Sequence, residues 1–281
     1  MKILYVSKGD HLDYQDDCLF IGLKELFGSD VVDVNKREHC YESYPEEKVS
    51  SLYGMGMTVS RVLPDLEVDR TDIGSKIKNK YFDLVVYGSI WRCNSDILKV
   101  IEHYPKNKIA VVDGEDEPNI HQIYNLGVPY FKRELYTRLK RTSPISFAFP
   151  TSKVNFDTEK TREFAICDPR DRSTYIYKNE KDYYNGYGES KYAFTMKKAG
   201  WDCLRHYEIL GNGCLPIFLD LQNCPEPTMA SFPKKLAQEI LDGYNKNELP
   251  NYDDYASRFK DHFMLNMTTE AVAKNFLSVF K

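Results

Sequence analysis

Apolar positions fall in short runs separated by polar, glycine-containing stretches, and their spacing predicts alternating strands and helices. Residues 2–6 (KILYV) form an apolar run that ends at Ser7-Lys8-Gly9, and Leu19, Leu23, Leu26 and Phe27 then fall at helical spacing before Gly28. Residues 30–34 read as a second strand. The runs FDLVVYG (82–88) and KIAVVDG (108–114) are continuously apolar, as in strands covered on both faces of a parallel sheet. Residues 95–103 between them read as a helix. This rhythm predicts a doubly wound α/β domain, whose ligands bind beyond the carboxyl ends of the strands. Those ends are Ser7-Lys8-Gly9, Gly88-Ser89 and Asp113-Gly114.

Residues 41–80 interrupt the rhythm and are too long for an ordinary connection, so they form an extra subdomain or a functional loop. Gly54 and Gly56 lack the third glycine and the strand-to-helix setting of a dinucleotide fingerprint. After VPYFKREL (128–135) and the basic stretch YTRLKRTSP, apolar runs resume at 145–149 and 163–167. Strands at 192–196 and 214–221 and helices near 202–210, 233–242 and 269–279 repeat the α/β logic. A chain of 281 residues exceeds the usual size of one small core. The boundary is placed near residue 140, giving two α/β domains, 1–140 and 141–281. The expected fold class is α/β, with two Rossmann-like domains facing a cleft.

Composition narrows the function. With 42% hydrophobic residues the chain is not disordered, and 21 Tyr against 2 Trp suits polyol ligands as well as half-buried packing positions. A formal net charge of −4 offers no basic excess for a phosphate backbone, so nucleic acid is not expected as a partner. Seven Cys without CxxC or Cys/His spacing read as reduced core thiols. The start, MKILYVSKG, lacks the apolar run of a signal peptide or membrane span, so a cytoplasmic protein without a transmembrane segment is expected.

The most informative run is SKYAFTMKKAGWDCLRHYEILGNGCLPIFLDL, residues 190–221, which spells strand, loop, helix, turn and strand. Gly200 permits a tight turn, Asp202 suits the helix start, and Gly211-Asn212-Gly213 supplies a left-handed stop. Cys203, Tyr207 and Leu210 share one helix face; Asp202, Arg205 and Glu208 share another, turned from the core. Lys197 and Lys198 precede a helix start whose free N–H groups favour an anion such as a pyrophosphate. Arg205 adds a forked donor, and Glu208 is spaced to accept from two ribose hydroxyls. An i, i+3 ion pair of Arg205 with Asp202 or Glu208 is the plainer alternative.

This run resembles the donor-binding motif of exostosin-like and related GT-B glycosyltransferases, including relatives encoded by large algal viruses. The shared pattern is a strand, a basic loop, Asp202 leading into a helix with Arg205-x-Tyr207-Glu208, and a small-residue turn into Cys214-Leu215-Pro216. The resemblance covers about a tenth of the chain. It implies that Glu208 binds the donor ribose and that Arg205 and the Lys197-Lys198 loop approach the diphosphate. Gly200, Trp201 and Asp202 lie in the same donor segment, so the resemblance makes 141–281 the nucleotide-sugar-binding domain and 1–140 the acceptor-side domain. It also implies that a nucleotide-diphosphate sugar is the co-substrate, that no metal or other cofactor is needed, and that the acceptor is a glycan or another hydroxyl compound. In the N-terminal half only the α/β rhythm and the DGED and FKREL runs match.

Sugar transfer with inversion needs a base for the acceptor hydroxyl; retention needs mainly stabilisation of the leaving diphosphate. The candidate bases at strand ends of the first domain are Asp13, Asp113 and Glu115, with His11 a further possibility. Glu115-Asp116-Glu117 offers hard oxygens for a divalent cation, a reading the two α/β halves disfavour. Arg170 and Arg172 follow a predicted strand and are placed to neutralise the leaving phosphate, or else form a solvated turn. A non-catalytic nucleotide-sugar or glycan-binding protein would share these features. A doubly wound oxidoreductase or methyltransferase is disfavoured, since no G-x-G-x-x-G follows the first strand.

Overall fold

A computed structural model describes residues 1–280. The first sheet is wholly parallel, ordered β2-β1-β3-β4-β5-β6, from β1 (Ile3–Val6), β2 (Val31–Asp33), β3 (Leu84–Tyr87), β4 (Ile109–Asp113), β5 (Tyr130–Lys132) and β6 (Thr142–Pro144). Its helices are α1 (Tyr14–Phe27), α2 (Glu46–Val49), α3 (Ile73–Lys78) and α4 (Ile97–His103). The second sheet, β7 (Arg162–Phe164), β8 (Ser190–Thr195) and β9 (Leu215–Phe218), is also parallel. With it come α5 (Glu180–Gly188), α6 (Leu204–Gly211), α7 (Lys234–Asn245), α8 (Tyr252–Asn266) and α9 (Thr269–Ser278). The expected α/β class with two Rossmann-like halves is what the chain adopts. Among the described residues no helix is long and apolar enough to cross a membrane.

The continuous apolar runs became the central strands because helices cover both faces: every residue of β1, β3 and β4 is buried. Two expectations fail for one reason. Residues 145–149 are extended and apolar yet belong to neither sheet, because they cross between the halves with Phe147 and Phe149 buried in the seam. The neighbouring Thr142–Pro144, with little apolar character, forms edge strand β6 by backbone pairing to β5. Apolar content reports burial there, and the ladder reports topology.

One hydrophobic core runs continuously through both halves, from Ile3 and Leu19 through Phe131 and Phe149 to Tyr207 and Phe276. A second lies on the outer face of the first sheet and a third between the second sheet and helices α5 and α6. The C-terminal helix binds the halves together. α9 leaves the second half and packs on α1, where a Cβ on Gly22 would sit 2.0 Å from the Thr269 carbonyl oxygen. Only glycine allows that approach. The outgoing and returning chains pair with each other: Phe149 N–H donates to Met267 O at 3.0 Å, and Thr269 N–H to Phe149 O at 2.9 Å.

Residues 41–63 make an irregular excursion closed by a bridge between Tyr41 and Leu63. Within it Gly54, Met55, Gly56, Thr58 and Arg61 all have positive φ, so the backbone coils left-handedly toward the second half.

Candidate active site

Helix α6 was expected to turn a charged face away from the core. Instead all eight of its residues are buried, because the tyrosines of α5 and the 53–61 excursion cover that face. Glu208 is 6% exposed and both its oxygens are engaged: Thr58 Oγ1 donates to Oε1 at 2.5 Å and the Tyr183 hydroxyl to Oε2 at 2.7 Å. Burial pushes its carboxyl above the ordinary range. Arg205 is 8% exposed, its guanidinium 5.3 Å from the Tyr175 ring centre. Its Nη1 has no hydrogen-bond partner among the described residues. Arg205 and Glu208 therefore lie in one buried cluster of tyrosines, and neither forms the simple ion pair that their spacing allows. A buried guanidinium with an open donor is costly unless an anion completes it.

The basic loop before α6 divides its residues between two roles. Lys198 is exposed, with Nζ 5.4 Å from the Tyr175 ring, and its pKa is lowered by burial of its stem and by the nearby charges of Arg205 and Arg172. Arg172, exposed in the turn leading to Tyr175, completes a cationic group of three around that ring. Lys197 lies over the Trp201 ring at 5.1 Å, and its N–H donates to Asp220 at 3.1 Å. Trp201 and Asp202 are buried against the first half. Asp202 does not cap α6: its carboxylate accepts from Phe147 N–H and the Tyr207 hydroxyl, each at 2.8 Å, and burial raises its pKa to about 6. Gly200 is needed for close approach, since a Cβ there would lie 2.6 Å from Glu134 Oε1. Arg170 is not brought to this group. It forks onto its neighbour Asp168 at 2.5 to 3.1 Å and lies 4.1 Å over Phe194, whose ring packs on Tyr244 of α7 across the sheet from α6.

His206 supports the loop from beneath. Its Nε2 contacts Trp201 O at 2.9 Å, and since a carbonyl only accepts, Nε2 carries the proton; Nδ1 then accepts from Thr195 Oγ1 at 2.8 Å. Burial pushes its pKa down to about 3.

The opposite wall lies at the carboxyl ends of β1 and β3, where strand order reverses direction and doubly wound sheets place ligands. Asp13 caps α1, its Oδ1 accepting from Gln15 and Asp16 N–H. Its Oδ2 accepts from Ser89 Oγ at 2.9 Å and pairs with Arg92 at 3.1 Å. Arg92 also pairs with Glu115, which is about one-third exposed, so Asp13, Arg92 and Glu115 form one group. Asp113 stands apart: the β4–β5 register sets it opposite Lys132, and the fully buried carboxylate takes Lys132 Nζ at 2.8 Å and the Tyr130 hydroxyl. The His11 side chain is exposed, and its backbone carbonyl accepts from Arg37 at 3.2 Å.

The seam is sealed by residues of the DGED and FKREL runs, none of which the sequence pattern paired with Asp202. Arg133 Nη1 donates to Asp202 O and Nη2 pairs with Asp116, while Asp202 N–H donates to Glu134 Oε1 at 2.9 Å. Asp116 and Glu115 thus each have an arginine partner rather than converging as a cation site. Elsewhere Asp17, His39 and Cys40 bring ligand atoms within 4.8 Å of one another, without any spacing that announces it. Arg37 already occupies that carboxylate, with Nε 2.9 Å from Asp17 Oδ1, so the trio is held as a buried polar network. All seven cysteines are free thiols.

No protein-family model matches the chain, and no curated protein matches its sequence. Two solved structures are similar at low level. One is an alpha-glucosyltransferase in complex with UDP and a 13-mer DNA containing an HMU base, at TM-score 0.45 and 9% identity over 100% of this chain and 99% of the other. The other is the spinosyn rhamnosyltransferase SpnG complexed with thymidine diphosphate, at TM-score 0.36 and 9% identity over 98% of this chain and 100% of the other.

Proposed function

We propose that the chain is a glycosyltransferase that takes its sugar from a nucleotide-diphosphate donor and passes it to a hydroxyl acceptor. The observation that carries this is the pocket on α6: a nine-tenths buried guanidinium with an open donor, beside a buried carboxylate, under three tyrosines. Arg205, Lys198 and Arg172 supply positive charge for a diphosphate, and Glu208 supplies acceptor oxygens for a sugar hydroxyl. Across the seam, Asp13 and Glu115 are placed to take the acceptor proton, with Arg92 fixing both. Arg133 and Glu134 set the relative position of the two walls. In this reading the cationic group stabilises the leaving diphosphate without a metal ion, and the two domains divide near residue 140.

Thermal protection by a panel of uridine, thymidine and guanosine diphosphates tests the donor half directly. Protection by at least one of them, and sugar transfer or release that persists in excess EDTA, is the expected result. Protection without turnover for any acceptor would leave a nucleotide-sugar-binding protein. Turnover lost in chelator and restored by Mn²⁺ would move the charge-stabilising role to the acidic residues 115–117.

A further inference from the structure

The residue that closes Glu208 belongs to the other half of the molecule. Thr58 lies 150 positions away, and its side-chain oxygen contacts both Glu208 Oε1 at 2.5 Å and the Tyr184 hydroxyl at 2.7 Å. Its N–H donates to Glu180 Oε2 at 2.5 Å. Its φ is +75°, a region that side chains rarely adopt and β-branched ones least of all. Lys153 ties the same strap down, donating to Ser60 O at 3.3 Å and to both Glu180 oxygens at 2.8 Å. The strained backbone is thus over-determined from the second half, which is how such conformations persist at working sites. Beside it Arg205 Nη1 is buried without a hydrogen-bond partner among the described residues, while both oxygens of Glu208 are engaged.

We infer that Thr58 is an internal stand-in for a ligand hydroxyl, and that the strap at residues 53–61 gates the pocket. Its hydroxyl occupies Glu208 when nucleotide is absent and is displaced by the hydroxyl of the nucleoside's sugar when nucleotide binds. The inference rests on the reading of Arg205 and Glu208 as the nucleotide pocket. Three features fit displacement better than permanent support. The partner that Thr58 offers Glu208 is one alcohol, chemically the same as a sugar hydroxyl. The strap is built from left-handed residues, Gly54, Met55, Gly56, Thr58 and Arg61, of which Met55, Thr58 and Arg61 hold side chains in a disfavoured backbone region. Its hydrogen bonds to the second half are made by Thr58 and Ser60 at its tip, while the bridge between Tyr41 and Leu63 closes its base.

The test compares the wild-type chain with Thr58→Val, which keeps the branched shape without the hydroxyl, Thr58→Gly, which removes hydroxyl and strain together, and Thr58→Ser, which keeps the hydroxyl. Calorimetric titration with uridine, thymidine and guanosine diphosphate gives Kd for each. A hydrogen bond to a charged group shifts an equilibrium by about 10- to 150-fold, so both variants lacking the hydroxyl should bind at least about tenfold more tightly. Thr58→Ser should match the wild type. Unchanged or weaker binding in Thr58→Val and Thr58→Gly, with the wild type binding normally, overturns the gate and leaves the nucleotide pocket standing. Binding by those two variants alone supports the gate in its strongest form. No binding of any diphosphate to any of the four proteins overturns the gate together with the pocket.

Discussion

Replacing Arg205 with methionine should weaken nucleotide binding and leave the stability of the fold nearly unchanged, and that contrast is the point of the experiment. Arg205 is 8% exposed with Nη1 unpartnered, so the free protein bears the desolvation of a buried donor. That penalty is about 1–3 kcal/mol. Methionine keeps the apolar stem and fills the space against Tyr175, Tyr183 and Tyr187. The guanidinium's stacking on Tyr175, at 5.3 Å in a desolvated setting, returns about 2 kcal/mol, so the net change lies within about 1 kcal/mol of zero. The same guanidinium on a diphosphate makes a charge-assisted hydrogen bond of about 1.5–3 kcal/mol, or about 10- to 150-fold in Kd. Denaturant unfolding reads the first quantity and calorimetric titration with the protecting diphosphate reads the second. A variant that loses more than about 1 kcal/mol of stability while binding the diphosphate like wild type would refute the reasoning and make Arg205 a packing residue.

Other outcomes follow from the same geometry. Asp13→Asn retains the helix cap, since asparagine caps as well as aspartate, and Glu115→Gln is equally mild; at least one of them should keep donor Kd within about twofold and lose most turnover in a transfer assay. If both turn over like wild type, the Asp13–Arg92–Glu115 group is not the acceptor's base. His206 is buried neutral with its pKa lowered to about 3, so below its unfolded value of 6.5 the unfolded chain binds a proton that the native chain refuses. Stability from this residue is intact above pH 6.5 and falls with acid, by about 2.7 kcal/mol at pH 4.5; His206→Gln should flatten that part of the pH profile of chemical unfolding. Gly22→Ala should destabilise by about 2–3 kcal/mol despite alanine's better helix propensity, because the added Cβ meets the Thr269 carbonyl at 2.0 Å; an unfolding midpoint equal to wild type would show that α9 is not tightly docked.

Much of the fold could be read from the chain because buried parallel strands carry a continuous apolar signature, as at 84–87 and 109–113. The end of the first sheet could not, since Thr142–Pro144 is held by its ladder and carries no periodic pattern. For the site, helical spacing correctly put Arg205 and Glu208 on one face. What covers that face, Thr58 and the tyrosines of α5, comes from an excursion and a tyrosine run that no local pattern joins to α6. Asp113 looked open because it precedes a glycine at a strand end. Its lysine lies on the next strand, and only the register reveals the pair. Arg92, Arg133 and Glu134 were missed for a similar reason: their partners lie across the sheet or the seam.

The return of α9 onto α1 bears on how the chain is made. The first half leaves the ribosome before the second, yet one face of α1 stays uncovered until residues 269–278 exist. Until then the apolar surface around Leu19, Gly22 and Phe131 has no native partner, so a nascent chain is open to aggregation until α9 is made. Premature stops after Met267 should therefore expose hydrophobic surface in the first half rather than the second, and create a client for holdase chaperones. The paired crossings at Phe149 and Thr269 then close last, which makes the helix a fastener applied after both sheets have formed.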